Sequence, residues 1–191
     1  LDDTFKVKAA GNNLSKIVGG RSVHAPFAAV GGFIKLPKTE DLQRCSEELI
    51  NIRPSVLDLI ELFAKRDFTL ERTDIDFAAL TDNEYSFLYG DLIRSDGSKI
   101  SSEKYGEFLE HVEIPYSHAS GYKLSGKVYM VGALARMNLA KENLHEKTKD
   151  SAGEYLKLFP SKNIFHNNLA QAIEILHAID SSIDIIENLT I

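Results

Sequence analysis

Phe165-His166-Asn167-Asn168-Leu169-Ala170-Gln171-Ala172-Ile173-Glu174-Ile175-Leu176-His177-Ala178-Ile179-Asp180-Ser181-Ser182-Ile183-Asp184-Ile185-Ile186 is the stretch on which the fold turns. Phe165, Leu169, Ala172, Leu176, Ile179, Ile183 and Ile186 recur at spacings of 4, 3, 4, 3, 4 and 3. That is the heptad-like seam of one long helix, about 27 residues and roughly 40 Å at 1.5 Å per residue. A helix cannot bury such a seam alone, so it needs helical partners.

The partners are predicted in residues 39–66. Leu42, Cys45, Leu49 and Ile52 fall at helical spacing, and Val56, Ile60 and Phe63 continue the stripe. Thr39 reads as the N-cap, Glu40 and Asp41 suit the first turn, and Lys65 and Arg66 suit the last. Pro54 lacks an amide hydrogen, so a break near Ile52-Arg53 is expected, with Pro54 opening a second helix. Residues 2–18 read as a weaker helix, frayed near Gly11-Asn12. Between these helices runs Gly19-Gly20-Arg21-Ser22-Val23-His24, then Val30-Gly31-Gly32-Phe33. Two Gly-Gly pairs imply tight backbone, and so apolar a loop is expected to be buried.

Residues 67–137 change character and read as a strand-rich insert in one domain spanning 1–191. Phe68–Leu70, Ile75–Phe77 and Tyr85–Phe87 alternate as half-buried strands do. Ser95-Asp96-Gly97-Ser98 signals a hairpin turn. Ser101 or Ser102 could cap a short helix through Phe108-Leu109. Residues 114–137 read as strand and loop, with Tyr129–Val131 the most strand-like part. Residues 141–151, polar and charged, are the most linker-like. The class is α+β, a helical bundle layer with a small strand-rich insert.

Composition removes several functions. The chain has 191 residues, 22 Lys and Arg against 28 Asp and Glu, and one cysteine. One thiol cannot make an internal disulfide, a four-thiolate zinc site or an iron–sulfur cluster. The acidic balance argues against a general nucleic-acid binder, and no run reaches the ~20 apolar residues of a membrane helix. The first residue is Leu1, with no signal-peptide pattern, so a processed chain or a fragment of something longer is expected.

The motifs are mostly structural. Gly121-Tyr122-Lys123-Leu124-Ser125-Gly126-Lys127 matches the start of a phosphate loop, but Val128 stands where Ser or Thr would hold magnesium, so it reads as a turn between strands. The six histidines, His24, His111, His118, His145, His166 and His177, show no i, i+3 or i, i+4 pair, so no metal site is expected from this chain alone. His145 reads as solvated and Cys45 as a buried, inert thiol. Asp74 and Asp76 read as a polar strand face. The sequons Asn13-Leu14-Ser15 and Asn188-Leu189-Thr190 read as chance.

The glycine loop resembles the large (alpha) subunit of nickel–iron hydrogenases, in particular the cytoplasmic branch that passes electrons to NAD(P) or a deazaflavin. A second block, Pro115-Tyr116-Ser117-His118-Ala119-Ser120 followed by Gly126-Lys127-Val128-Tyr129-Met130-Val131-Gly132-Ala133-Leu134-Ala135-Arg136-Met137-Asn138, is similar to a stretch of that family in the same order. The helix from Asn168 to His177 resembles the one that follows. The proline usual after the histidine is displaced by one, to Pro26.

The resemblance implies a nickel–iron centre held by two C-x-x-C pairs and a small iron–sulfur partner subunit, in the cytoplasm. Neither C-x-x-C pair is present, and Cys45 corresponds to no ligand. The expectation is the middle of a large subunit with both metal-binding ends absent, neither binding nickel nor oxidising hydrogen by itself. The alternative is a hydrogenase-derived scaffold or interaction subunit that has lost the ligands. No catalytic set is complete. Arg21 and His24 are the candidates for groups orienting neighbours or relaying protons beside the metals, the competing reading being a buried or interface ion-pair member and a hydrogen-bonded core histidine. Arg136 and Asn138 read as structural tethers. The resemblance gives no nucleic-acid or membrane partner, and exposed apolar surface makes self-association an expectation.

Overall fold

A computed structural model describes residues 1–189. The chain divides into two compact units, Leu1–Lys65 with Ala172–Ile191, and Arg66–Gln171. Together they are α+β. No helix among the described residues is long and apolar enough to cross a membrane.

The first unit is built on helices α1 (Asp2–Gly19) and α2 (Thr39–Ala64), the strands β1 (Ala28–Ala29) and β2 (Gly32–Phe33), and the later turns of α5 (His166–Asn188). Leu42, Cys45, Leu49, Ile52, Val56 and Ile60 of α2 are buried, as their spacing predicts. The expected break at Pro54 does not occur, and α2 is one uninterrupted helix. The buried stripe continues on both sides of Pro54, so keeping it in one register outweighs the missing hydrogen bond. The helix begins at Thr39, with Lys38 rather than Thr39 as its N-cap.

The fraying expected near Gly11-Asn12 is also absent, since α1 runs unbroken through it. Tertiary bonds hold the helix on both sides of the weak point. Asn13 Nδ2 donates to Glu48 at 2.6 Å, and Ser55 Oγ donates to Asp3 at 3.1 Å. Gly20 ends α1 at φ 87°, its N–H donating to the Lys16 carbonyl. A Cβ at Gly20 would lie 2.8 Å from the Phe27 ring, and one at Gly19 would lie 2.5 Å from Ala25 Cβ, so the first Gly-Gly pair is required by close approach.

In the second unit β3 (Asp76–Thr81), β4 (Asp91–Arg94), β5 (Lys99–Ile100) and β8 (Tyr129–Met130) form one sheet in the order β5-β4-β3-β8. The β4–β5 hairpin turns where predicted, with Gly97 at φ 82°. β8 pairs parallel to β3, Asp76 opposite Tyr129. β6 (Leu109–Val112) and β7 (Gly121–Leu124) pair separately, after a short 3-10 helix at Tyr105–Phe108. Ala78, Ile100 and Leu124 form a buried cluster under Leu92, Leu109 and Tyr129.

Four expectations are corrected here. Phe68–Leu70 and Tyr85–Phe87 alternate but are not strands. Their spacing instead anchors loops: Tyr85 is buried and its N–H donates to the Asn143 carbonyl, while Phe68 meets Phe165. Residues 133–140 are helix α3 (Ala133–Ala140), because its Ala, Leu and Met side chains are almost all buried. The linker-like stretch folds as a 3-10 turn (Lys141–Asn143) and α4 (Glu146–Leu156). His145, expected to be solvated, is half-buried and caps α4, its Nδ1 accepting from Lys147 N at 3.2 Å.

Candidate functional site

The glycine loop folds as a short exposed hairpin. Ala28 pairs with Phe33 and Ala29 with Gly32, around a Val30-Gly31 turn with Gly31 at φ 84°. The expectation that this loop is buried is overturned. Val30 is fully exposed, and Val23, Phe33, Ile34 and Leu36 are all more than half exposed. Apolar composition drives burial only where other surface is at hand, and a hairpin two residues deep leaves its outer side chains uncovered.

Arg21 and His24 lie at the base of this loop, both exposed. Ser15 Oγ donates to the Arg21 carbonyl at 2.9 Å, which fixes the turn after α1. His24 has φ 56°, a left-handed conformation costly for a residue with a Cβ. Among the described residues neither side chain has a hydrogen bond or ion pair. Within this chain Arg21 is thus in no buried ion pair and His24 is not a core histidine.

The second block acts as a set of tethers, as read from the sequence, although on a helix rather than at a strand end. Arg136 stacks over Phe87, its guanidinium carbon 5.0 Å from the ring centroid. Asn138 clasps the backbone of Ser161 with both ends of its amide, donating at 2.8 Å and accepting at 2.7 Å. Asn167 Oδ1 accepts from Leu134 N at 3.2 Å, satisfying a first-turn amide of α3. Pro115–Ser120 is an exposed loop in which Tyr116 stands free of the surface. Gly121–Lys127 is β7 and the turn after it, with Ser125 and Gly126 at positive φ, and the next element is the strand β8 rather than the helix a phosphate loop leads into.

The nickel–iron centre does not fit the residues present. Cys45 is buried in α2, and burial, then the Glu48 carboxylate, pushes its thiol above the usual range. A site for these soft metals needs several thiolates, and the chain has one cysteine, held protonated. Among the described residues no group of three or more His, Cys, Asp or Glu is placed to hold a metal ion. Thr190, which completes the second sequon, lies outside the described residues.

Two features escaped the sequence reading. Glu174, His177 and Asp180 form a buried polar seam along α5, and Arg53 of α2 grips Asp180 with Nε at 2.7 Å and Nη2 at 3.2 Å. Acidic residues at core spacing on so apolar a helix were the available signal. The second is an apolar groove of about 630 Å³ in the first unit, walled by Leu14 and Val18 of α1 and Ile185 and Ile186 of α5. It meets a polar cleft at Leu36 and Pro37, which line both.

No family model matches the chain. The alpha subunit of sulfhydrogenase 1 from Pyrococcus furiosus is 32% identical over 190 residues, covering 98% of this chain and 44% of the relative. The alpha subunit of sulfhydrogenase 2 from the same organism is 28% identical over 189 residues, 99% of this chain and 44% of the relative. The chain thus spans less than half the length of these curated relatives. Among solved structures, an NAD+-reducing [NiFe]-hydrogenase in the H2-reduced state superposes with a TM-score of 0.80 at 15% identity, covering 98% of this chain and 47% of that one. A [NiFeSe] hydrogenase variant from Desulfovibrio vulgaris Hildenborough gives 0.64 at 16% identity, over 95% and 48%. At such identities these show a shared fold. At the family level, the chain matches the alpha, or large, subunits of nickel–iron hydrogenases, without a metal-binding group among its described residues.

Proposed function

We propose that this chain serves as a non-catalytic scaffold of hydrogenase large-subunit type, offering a folded surface to other polypeptides. One observation carries the reading: a chain aligned over 98% of its length with a hydrogenase of this family has a single thiol, and that thiol is sealed into α2. Heterolytic cleavage of hydrogen needs a metal to polarise the bond and a base to take the proton. The donor set here supplies no anchor for the metal. The test is elemental analysis of chain produced in nickel-replete cells, with hydrogen uptake measured on the same sample. Nickel far below one per chain and no uptake are expected. Stoichiometric nickel would falsify the reading.

The coverage favours a second reading, since more than half of each relative's length has no counterpart here. In it, these residues are the central portion of a cytoplasmic, nickel–iron large subunit. That enzyme would be coupled to NAD(P) or a deazaflavin and paired with a small iron–sulfur subunit. Arg21 and His24 would then orient groups, or relay protons, beside metals held by other residues. Reading the coding sequence on both sides separates the two: a C-x-x-C upstream and another downstream favours the enzyme.

A further inference from the structure

We infer that the apolar groove of the first unit, with the lysine pair at its Leu36-Pro37 end, is a docking seat for an acidic amphipathic helix of a partner protein. The inference rests on the scaffold reading and names the chemistry of its partner. The groove's walls are two helical faces. Gly11, Leu14, Ser15 and Val18 of α1 repeat at i, i+3, i+4 and i+7, and so do Ser182, Ile185 and Ile186 of α5 with Leu189 just past its end. A third helix with the same periodicity can lie between such faces. The α1 wall is open at Gly11, where an added Cβ meets nothing within 4 Å.

The wall is also incompletely covered. Ile185, on a helix whose opposite side is already buried, is 61% exposed, and Leu189 just past the helix end is 48% exposed. Ile175, Ala178, Ser182, Ile185 and Leu189 extend this second face at helical spacing without a charge among them. A helix apolar on both sides belongs between two layers.

Charge selects the occupant. Lys35 and Lys38 flank Leu36-Pro37 and are exposed. Among the described residues neither has a carboxylate partner; Lys35 lies only near the Phe27 ring. The acids of the adjoining cleft are already engaged, Asp41 with Arg44 and Glu48 with Asn13. Residues 16–44 carry five Lys or Arg and two Asp or Glu, in a chain of net charge −6. A partner helix with carboxylates beside its apolar stripe meets both the groove and the unpaired lysines.

Three labelled helical peptides of equal length test this by fluorescence anisotropy on the 191-residue chain. They share one Leu/Ile stripe and carry Glu, Lys or Gln on the other face. The Glu peptide is expected to bind at least tenfold tighter than the Lys peptide, with the advantage shrinking in high salt. The double change Lys35→Glu with Lys38→Glu should reverse the order. Ile185→Glu should weaken all three at least tenfold, with the far-UV circular dichroism unchanged. Leu189→Glu repeats that test at a second exposed position. Equal binding of the three peptides, or none, overturns the inference. So does light scattering that shows a dimer abolished by Ile185→Glu, which makes a second copy the occupant. Binding to phosphatidylglycerol vesicles without binding of the Glu peptide makes it a membrane surface instead. Nickel content is read independently, so failure of the docking seat and failure of the scaffold reading are distinguishable.

Discussion

His166, the first residue of α5, has a buried Nδ1 with no hydrogen-bond partner and an edge-on contact with the Phe159 ring, centroids 6.1 Å apart. Burial depresses its pKa below the ordinary 6.5. The positive end of the α5 dipole acts in the same direction. Above pH 6.5 the ring is neutral folded or unfolded, and it contributes no pH dependence. Below that the unfolded chain takes the proton first, so stability falls with pH until the folded ring also protonates. Urea melts between pH 7 and pH 5 should show this loss, and His166→Phe should reduce the slope. An unchanged slope in the variant would place the pH dependence elsewhere. His166 was legible only as one of six histidines, because its environment is set by Phe159 and the surrounding core rather than by neighbours in the chain.

At the scale of elements, the link between α2 and α5 can be tested directly. Asp180 is 1% exposed and held by two nitrogens of Arg53, itself mostly buried. Asp180→Ala leaves the guanidinium without this partner and is expected to cost about 2–4 kcal/mol, at or below the usual range for a broken buried pair because Arg53 keeps some water. Arg53→Met with Asp180→Leu should recover most of the loss, since two apolar side chains leave no stranded charge. Denaturant midpoints of the three variants check this; a loss below about 0.5 kcal/mol for Asp180→Ala would mean that the pair does not register the helices. The helices themselves were readable because a seven-residue repeat such as Leu169 to Ile183 has few other ways to be buried. Gly97 was readable because a tight hairpin needs its positive φ. Pro54 and Gly11-Asn12 misled, since local propensity is worth a few kcal/mol at most and long-range burial outweighed it. The run from Val23 to Ile34 misled for the opposite reason: its composition records a preference for burial, while the described surface supplies nothing to bury it.

The whole molecule therefore exposes more organised apolar surface than scattered side chains would give. The hairpin presents Val23, Val30, Phe33 and Ile34, and the groove adds Ile185 and Leu189. On the first unit this makes a patterned surface, and patches of this kind mark interfaces. The candidate site was legible in the sequence only as its glycine loop. The groove assembles Leu14, Leu36 and Ile185 from segments distant in sequence, so no local pattern could announce it. Such a surface should bind the dye ANS in the native state, although ANS is an anion and the chain is acidic overall. Ile185→Glu and Val30→Asn should each lower the native fluorescence while shifting stability by no more than about 0.5 kcal/mol, because both side chains are exposed. The denaturation midpoint, measured on the same samples, separates surface binding from partial unfolding, which would also raise ANS fluorescence. If native fluorescence stays at the level of free dye while circular dichroism reports a folded chain, the exposed hairpin and groove are covered in solution. If it is high but insensitive to both substitutions, the dye reports a different surface.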